Sequence, residues 1–160
     1  MFNLTPKDVS RQLLSNEDIL KDWSATASFL ARTKVVVDYR EYGDTASTAQ
    51  RFDAFYISIP PCYSDFFPDV KYNSMFDVQE DYKRQKQFYL GLIWHECFHV
   101  LYSPFGYFFN QLEDYSRTFQ IYLKNFFNIV CDNFIESRGR FFFPDCSIPL
   151  DTVKEYFNNK

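Results

Sequence analysis

The residues whose types and spacing suit chemistry lie in one short stretch, Gly91–Ser103, with the sequence GLIWHECFHVLYS. At its centre, His95 and His99 lie four residues apart with Glu96 between them, which matches the H-E-x-x-H pattern. Residues four apart share one face of an α-helix, so both imidazoles can bind one metal ion, most commonly zinc. Glu96 then lies near enough to act on a water beside the metal without binding the metal itself. The stretch therefore predicts a Zn²⁺ site with Glu96 as the catalytic residue.

The alternative for this pentapeptide is a chance match, or two core histidines satisfied by hydrogen bonds. His95 and His99 are the only histidines of the chain, which favours the metal site. A metzincin would need a third histidine where Phe105 stands and a glycine where Tyr102 stands, so that class is excluded. Because a catalytic zinc usually takes three protein ligands, the third must be a carboxylate or a thiolate.

A later segment carries carboxylates at helical spacing. Asn125, Asn128, Asp132 and Glu136 would form one polar stripe on a helix over 111–139 that is otherwise rich in Phe, Ile and Val. A solvated polar face is the alternative, but such a face normally carries more lysine and mixed charge. Asp132 and Glu136 lie four residues apart, so one can bind the metal while the other orients a histidine.

These residues need a scaffold, and the pattern predicts an α+β fold that is mainly α, with a small β-sheet packed on the H-E-x-x-H helix. We expect residues 1–160 to form a single domain in which 1–32 are a helical scaffold with caps at Thr5 and Ser15. Strand patterns over 34–39 and 54–59, joined by a polar loop or hairpin over 41–53, place the sheet within 33–60. A capping box of Asp77 and Glu80 begins the H-E-x-x-H helix over 77–103. Asn110 with Glu113 caps the second long helix, and Gly139 ends it.

Composition excludes several classes of protein. The net charge is −4 and no basic stripe is present, which argues against nucleic acid as a ligand. No stretch is long and apolar enough to span a bilayer, and the N-terminus lacks the apolar region of a signal peptide. The cysteines show no C-x-x-C spacing, which favours reduced core thiols and a cytoplasmic location: Cys62, Cys97, Cys131 and Cys146. Aromatic residues make up 21% of the chain, enough to leave aromatic surface for a groove or a partner.

Two segments, HECFHVLYS and NIVCDNFIESRGRFFFP, resemble the predicted metallopeptidase domain that precedes von Willebrand factor A modules in bacterial and phage proteins. The second motif of that family is matched at Asn128, Asp132, Ile135 and Glu136, over a resemblance that spans about 54–144. Cys131 replaces a glutamate of the family motif, and a phenylalanine replaces its arginine. The resemblance implies a peptide or protein substrate, and a von Willebrand factor A-type partner or a further chain segment. For a phage protein, it implies the host cytoplasm.

The chain also resembles the gluzincins, whose later helix carries two acidic residues four apart, the first of which binds zinc. That resemblance implies a zincin-like domain in which Asp132 is the third ligand and Glu136 orients a histidine. Cys131 is the alternative ligand, as a thiolate. The reaction expected is metal-assisted hydrolysis, with Tyr102, Tyr107 and Arg138 as candidate donors to the oxyanion.

Two other classes of function remain compatible with the sequence. One is a catalytically inactive metal-binding module with a structural or assembly role, for example in a phage. The other is a metal-free interaction domain whose aromatic surface binds a protein. Zinc content separates the second class from the others, and loss of activity in Glu96→Gln separates an enzyme from a structural module.

Overall fold

The computed structural model describes residues 4–63, 70–103, 112 and 115–158. These residues form a mainly helical structure with one three-stranded sheet, so the predicted α+β, mainly α class is confirmed. The elements, in chain order, are α1 (Pro6–Leu14), α2 (Glu17–Ala31), β1 (Val35–Tyr39), β2 (Ser47–Arg51), β3 (Ala54–Ile59), α3 (Met75–Tyr102), α4 (Arg117–Phe142), a 3₁₀ turn (Pro144–Cys146) and α5 (Ser147–Asn158). No helix among the described residues is both long enough and apolar enough to cross a membrane.

The N-terminal helices begin at side-chain caps. Thr5 forms the predicted cap of α1, with the reciprocal hydrogen bonds of a capping box to Asp8. The predicted cap of α2 at Ser15 is wrong by one residue. Asn16 caps this helix, because its side chain accepts hydrogen bonds from the backbone N–H groups of Asp18 and Ile19.

The sheet has the strand order β1-β3-β2, with β1 parallel and β2 antiparallel to β3. The polar segment interpreted as a loop or hairpin connection therefore contains an edge strand, β2, which pairs with β3 from Ser47↔Ser58 to Arg51↔Ala54. Most side chains of β2 are exposed, so the strand needs no alternation of apolar residues. This is why the hydrophobic pattern does not predict it.

Helix α3 runs through the centre of the fold. Its capping box is Ser74 with Asp77, three residues before the predicted one, so the helix begins at Met75. Its apolar residues pack with α2 and the sheet in the main hydrophobic core, which includes Phe88, Tyr89 and Leu92. This core fixes the helix that carries both histidines.

A buried polar network holds the first half of α3. The carboxylate of Asp81 accepts hydrogen bonds from the hydroxyls of Tyr63 and Tyr72, at 2.9 and 2.6 Å, and from Gln85 Nε2 at 2.7 Å. Gln85 also accepts a bond from Ser10 Oγ at 2.7 Å, which ties α1 to α3. Burial and the neighbouring carboxylate raise the pKa of both tyrosines, so their hydroxyls stay protonated as donors.

Helix α4 departs from the prediction at both ends. It begins at Arg117 behind a Ser116 cap, and the predicted cap pair Asn110 and Glu113 lies outside the described residues. Gly139 does not end the helix, which continues to Phe142. A Cβ at Gly139 would lie 2.1 Å from the buried ring of Phe98, so the glycine allows α4 to pack closely on α3.

Candidate metal centre

Helices α3 and α4 bring together three side chains that can bind a metal. His95 Nε2 and His99 Nε2, one turn apart on α3, are 3.1 Å from each other. Asp132 Oδ1, from α4, lies 3.1 Å from His99 Nε2 and 3.6 Å from His95 Nε2. The described residues therefore contain a group of three potential ligands whose atoms all lie within 4.8 Å of one another.

The spacing of the three atoms can be compared with that of a zinc site. Tetrahedral zinc with bonds of about 2.0–2.1 Å holds its ligand atoms roughly 3.3 Å apart. The three observed separations, 3.1, 3.1 and 3.6 Å, bracket that value. The group thus has the size of one face of a zinc tetrahedron, which leaves the fourth position for a water or a substrate.

The hydrogen bonds around the group are compatible with a bound cation. His95 Nδ1 lies 3.2 Å from Glu136 Oε1, and a carboxylate can only accept, so this nitrogen carries a hydrogen and Nε2 is free to act as a ligand. His99 Nδ1 lies 2.9 Å from Ser103 Oγ, a hydroxyl that can accept a hydrogen bond from this nitrogen or donate one to it. Asp132 Oδ1 is buried and accepts no hydrogen bond of sound geometry from the described residues. Electron-rich atoms therefore converge on one point, and a metal ion fits there.

The closeness of these groups shifts the pKa values of His95 and Asp132. Burial lowers the pKa of His95, but the carboxylates of Asp132, Glu136 and Glu96 outweigh burial and raise that pKa to about 10. Burial raises the pKa of Asp132, yet the two imidazoles hold it below its usual range. Both pKa shifts have the same cause: positive charge inside the cluster is stabilised by the carboxylates around it. Without a metal, a proton on His95 supplies that charge.

Glu136 connects the metal group to a third helix. Its Oε1 accepts from His95, and its Oε2 lies 3.1 Å from Nζ of Lys154 on α5. Burial raises the pKa of Glu136, but His95 and Lys154 outweigh burial and lower it, so the carboxylate stays ionised. No sequence pattern points to Lys154, because it lies on a separate helix with no spacing relation to the motif.

Glu96 lies on α3 beside the three converging residues, half-buried in the wall of a cavity of about 910 Å³. Its Oε2 accepts a hydrogen bond of 2.6 Å from Thr48 Oγ1, on edge strand β2. The cavity lies between β2, α3, α4 and α5. Its other polar lining residues include Gln50, Ser103, Asn128 and Lys154, and its apolar ones include Phe55, Leu92, Val100 and Val153.

The predicted oxyanion donors do not line this cavity where the structure describes them. The guanidinium of Arg138 lies 5.6 Å from the centroid of the Tyr102 ring, and it also lies over Phe134. Tyr107 lies outside the described residues. Among the described residues, the cavity offers the Ser103 hydroxyl and the Asn128 amide instead. The four-residue spacing of Ser103 from His99 could have suggested the first.

Cys131, the alternative ligand, is buried beside Ser103 and is not one of the three residues that converge. Burial raises the pKa of its thiol, which disfavours the thiolate that a metal would need. All four cysteines are free and buried, in agreement with the expectation of reduced core thiols.

Comparisons of this chain with protein-family models, with curated proteins and with solved structures give no match. The resemblance to metallopeptidase domains therefore depends on the two short segments that suggested it. The function has to be argued from the geometry of the site.

Proposed function

We propose that this protein is a zinc-dependent hydrolase, most specifically a metallopeptidase with a zincin-like site. His95, His99 and Asp132 would hold the zinc. The observation that carries the proposal is the convergence of their three ligand atoms at 3.1–3.6 Å. The other ring nitrogen of His95 contacts the Glu136 carboxylate, and that of His99 contacts the Ser103 hydroxyl. Such outer partners fix the tautomer and direction of a zinc-binding imidazole.

Bound zinc would supply Lewis-acid chemistry, polarising a substrate carbonyl and making a water more acidic. Glu96 is the residue that would take the proton of the attacking water and pass it to the leaving amine. Thr48 donates to one oxygen of Glu96, which fixes the carboxylate and leaves its other oxygen for this proton.

A peptide substrate is supported by the position of β2. It is one of the two edge strands of the sheet, and Ser47, Thr48 and Gln50 line the cavity. An edge strand can bind an extended peptide by adding it to the sheet. Because Thr48 contacts Glu96, a chain bound along β2 would pass next to the proposed base.

The decisive experiment compares the wild-type protein with Glu96→Gln, which keeps the size of the side chain and removes its basicity. Elemental analysis after zinc reconstitution should find about one zinc per chain in both proteins. Wild type should cleave a mixed pool of unstructured peptides, detected by mass spectrometry, and chelation should abolish cleavage. Glu96→Gln should lose at least about 100-fold of the activity.

Two results would contradict parts of this proposal. Absence of zinc from the reconstituted wild-type protein would remove the metal site. Zinc binding with cleavage that Glu96→Gln leaves unchanged would remove the assigned mechanism. Zinc binding with no cleavage of the peptide pool would instead favour the metal-binding assembly module, for which the exposed apolar surface of α4 is the supporting observation.

A further inference from the structure

The outward face of α4 carries a row of large apolar side chains, here named the α4 stripe. Each of its members is at least half exposed: Tyr122, Phe126, Ile129, Val130, Phe134 and Phe141. The stripe lies opposite the buried residues Cys131, Ile135 and Gly139 of the same helix. It also lies away from Asp132, so a molecule bound to it would leave the metal centre open.

The size of the α4 stripe exceeds what a monomer normally exposes. With about 200 Å² for each aromatic side chain, and somewhat less for Ile and Val, the exposed fractions give roughly 700 Å². The largest apolar patch on a typical monomer is about 300–600 Å². A standard protein interface takes about 800 Å² from each partner, so the stripe would supply most of that area.

We propose that the α4 stripe binds the same stripe of a second copy of this chain, with the two helices antiparallel. A two-fold axis would pass near Ile129 and Val130, which lie at the midpoint of α4. Apolar residues extend on both sides of that midpoint, so an antiparallel pair would cover the stripe along its length. A two-fold interface requires this self-complementarity, because one surface must serve as both partners.

One end of the α4 stripe contains a shallow groove, and the other end carries the exposed side chain of Tyr122. Beyond the midpoint, a shallow groove of about 340 Å³ is lined by Phe134, Ser137 and Phe141, with Arg138 and Phe142. With the axis at the midpoint of the helix, Tyr122 of the second copy comes opposite Ser137. The projecting tyrosine of each copy would therefore enter the groove of the other.

Charge favours a protein partner over a lipid surface. The stripe contains no charged residue, and Arg138 at its edge lies over the rings of Phe134 and Phe142 at 5.7 Å. The chain carries a net charge of −4, which opposes attachment to an anionic membrane. The α4 stripe is thus apolar and its members are uncharged, as expected for a helix-to-helix contact between copies.

The test uses charge pairs across the predicted axis. With the axis at the midpoint of α4, position 126 of one copy faces position 133 of the other and lies beside Phe134. Phe126→Lys and Phe134→Glu should each weaken the dimer by about 30-fold or more, as measured by sedimentation equilibrium, because a buried aromatic is replaced by a charge. Mixing the two variants should restore dimers, since each mixed pair places the lysine beside the glutamate. Phe29→Glu, on an exposed phenylalanine of α2, is the matched control and should dimerise like wild type.

Circular dichroism and thermal melting establish that each variant is folded. A wild-type protein that stays monomeric across the micromolar range would overturn the proposal. So would a dimer that both charged variants leave intact, or one that mixing fails to restore. None of these readouts depends on zinc or on cleavage, so the result stands apart from the proposed enzyme function.

Discussion

Thr48 Oγ1 donates a 2.6 Å hydrogen bond to Glu96 Oε2. This bond joins the edge strand β2 to the residue proposed as the general base, across 48 positions of sequence. The carboxylate of Glu96 is therefore held from the sheet, while the proposed metal ligands are held by the packing of α3 on α4. Thr48 would therefore lie beside a peptide bound along β2 and would also hold the proposed general base, Glu96.

The first prediction concerns this bond. Thr48→Val removes the hydroxyl, keeps the branched shape, and should lower kcat by roughly 10- to 100-fold because the carboxylate loses its fixed position. Thr48→Ser keeps the donor and should retain most of the activity. Zinc content should be unchanged in both variants, since Thr48 contacts no proposed ligand. Equal kcat values for the valine and serine variants would contradict the positioning role.

The second prediction separates the two candidates for third ligand. Asp132→Ala should lose most of the zinc, because Asp132 supplies the only carboxylate oxygen among the three described atoms that converge. Cys131→Ser should bind zinc like wild type, since the buried thiol lies beside Ser103 and outside that group. Competition with a zinc-binding dye measures both affinities. Loss of zinc in the cysteine variant, with retention in the aspartate variant, would reverse the assignment.

Much of this arrangement follows from local sequence. The helices carrying His95 and Asp132 are predictable because apolar spacing acts within a few residues, whereas the observed caps, Ser74 and Ser116, are not the predicted ones. Strand β2 is not, because its pairing with β3 stabilises a polar edge that has no pattern of its own. Gly139 illustrates a third case. Its residue type fits a helix end as well as a close helix contact, and only the position of Phe98 decides between them.

The third prediction concerns the pair behind His95. Glu136→Ala should weaken zinc binding by roughly 10- to 100-fold without abolishing it, because the imidazole loses the acceptor that orients it. Lys154→Met keeps the length of the side chain and removes the ion pair at 3.1 Å. Because Lys154 is half exposed, the effect of this change should be smaller than that of Glu136→Ala. A larger loss in the lysine variant would mean that Lys154 acts on the zinc or its ligands by another route.

The fourth prediction concerns pH. The carboxylates around His95 raise its pKa to about 10 in the metal-free protein, so zinc must displace a proton from it at neutral pH. Apparent zinc affinity should therefore rise about tenfold per pH unit between about pH 6 and pH 8. The raised pKa also stabilises the metal-free fold fully below about 6.5, and this contribution is lost as pH rises toward about 10.

Calorimetry in buffers of different ionisation enthalpy counts the displaced protons. Release of about one proton per zinc at neutral pH is expected. Zinc binding without proton release would mean that the metal-free cluster contains no proton on His95. The Cys131→Ser variant is a suitable control, because it should release the same number.

The last prediction uses the close contact of α4 with α3. A Cβ at Gly139 would lie 2.1 Å from the ring of Phe98, which is fully buried. Gly139→Ala should lower the free energy of unfolding by about 1–3 kcal/mol. It should also weaken zinc binding, because a displaced α4 takes Asp132 away from the histidines. Gly91→Ala is the matched control, since its Cβ would meet the Pro149 carbonyl oxygen of α5 at 2.3 Å. It should destabilise the fold comparably and weaken zinc binding less, and equal losses of zinc affinity would contradict the role given to the α3–α4 contact.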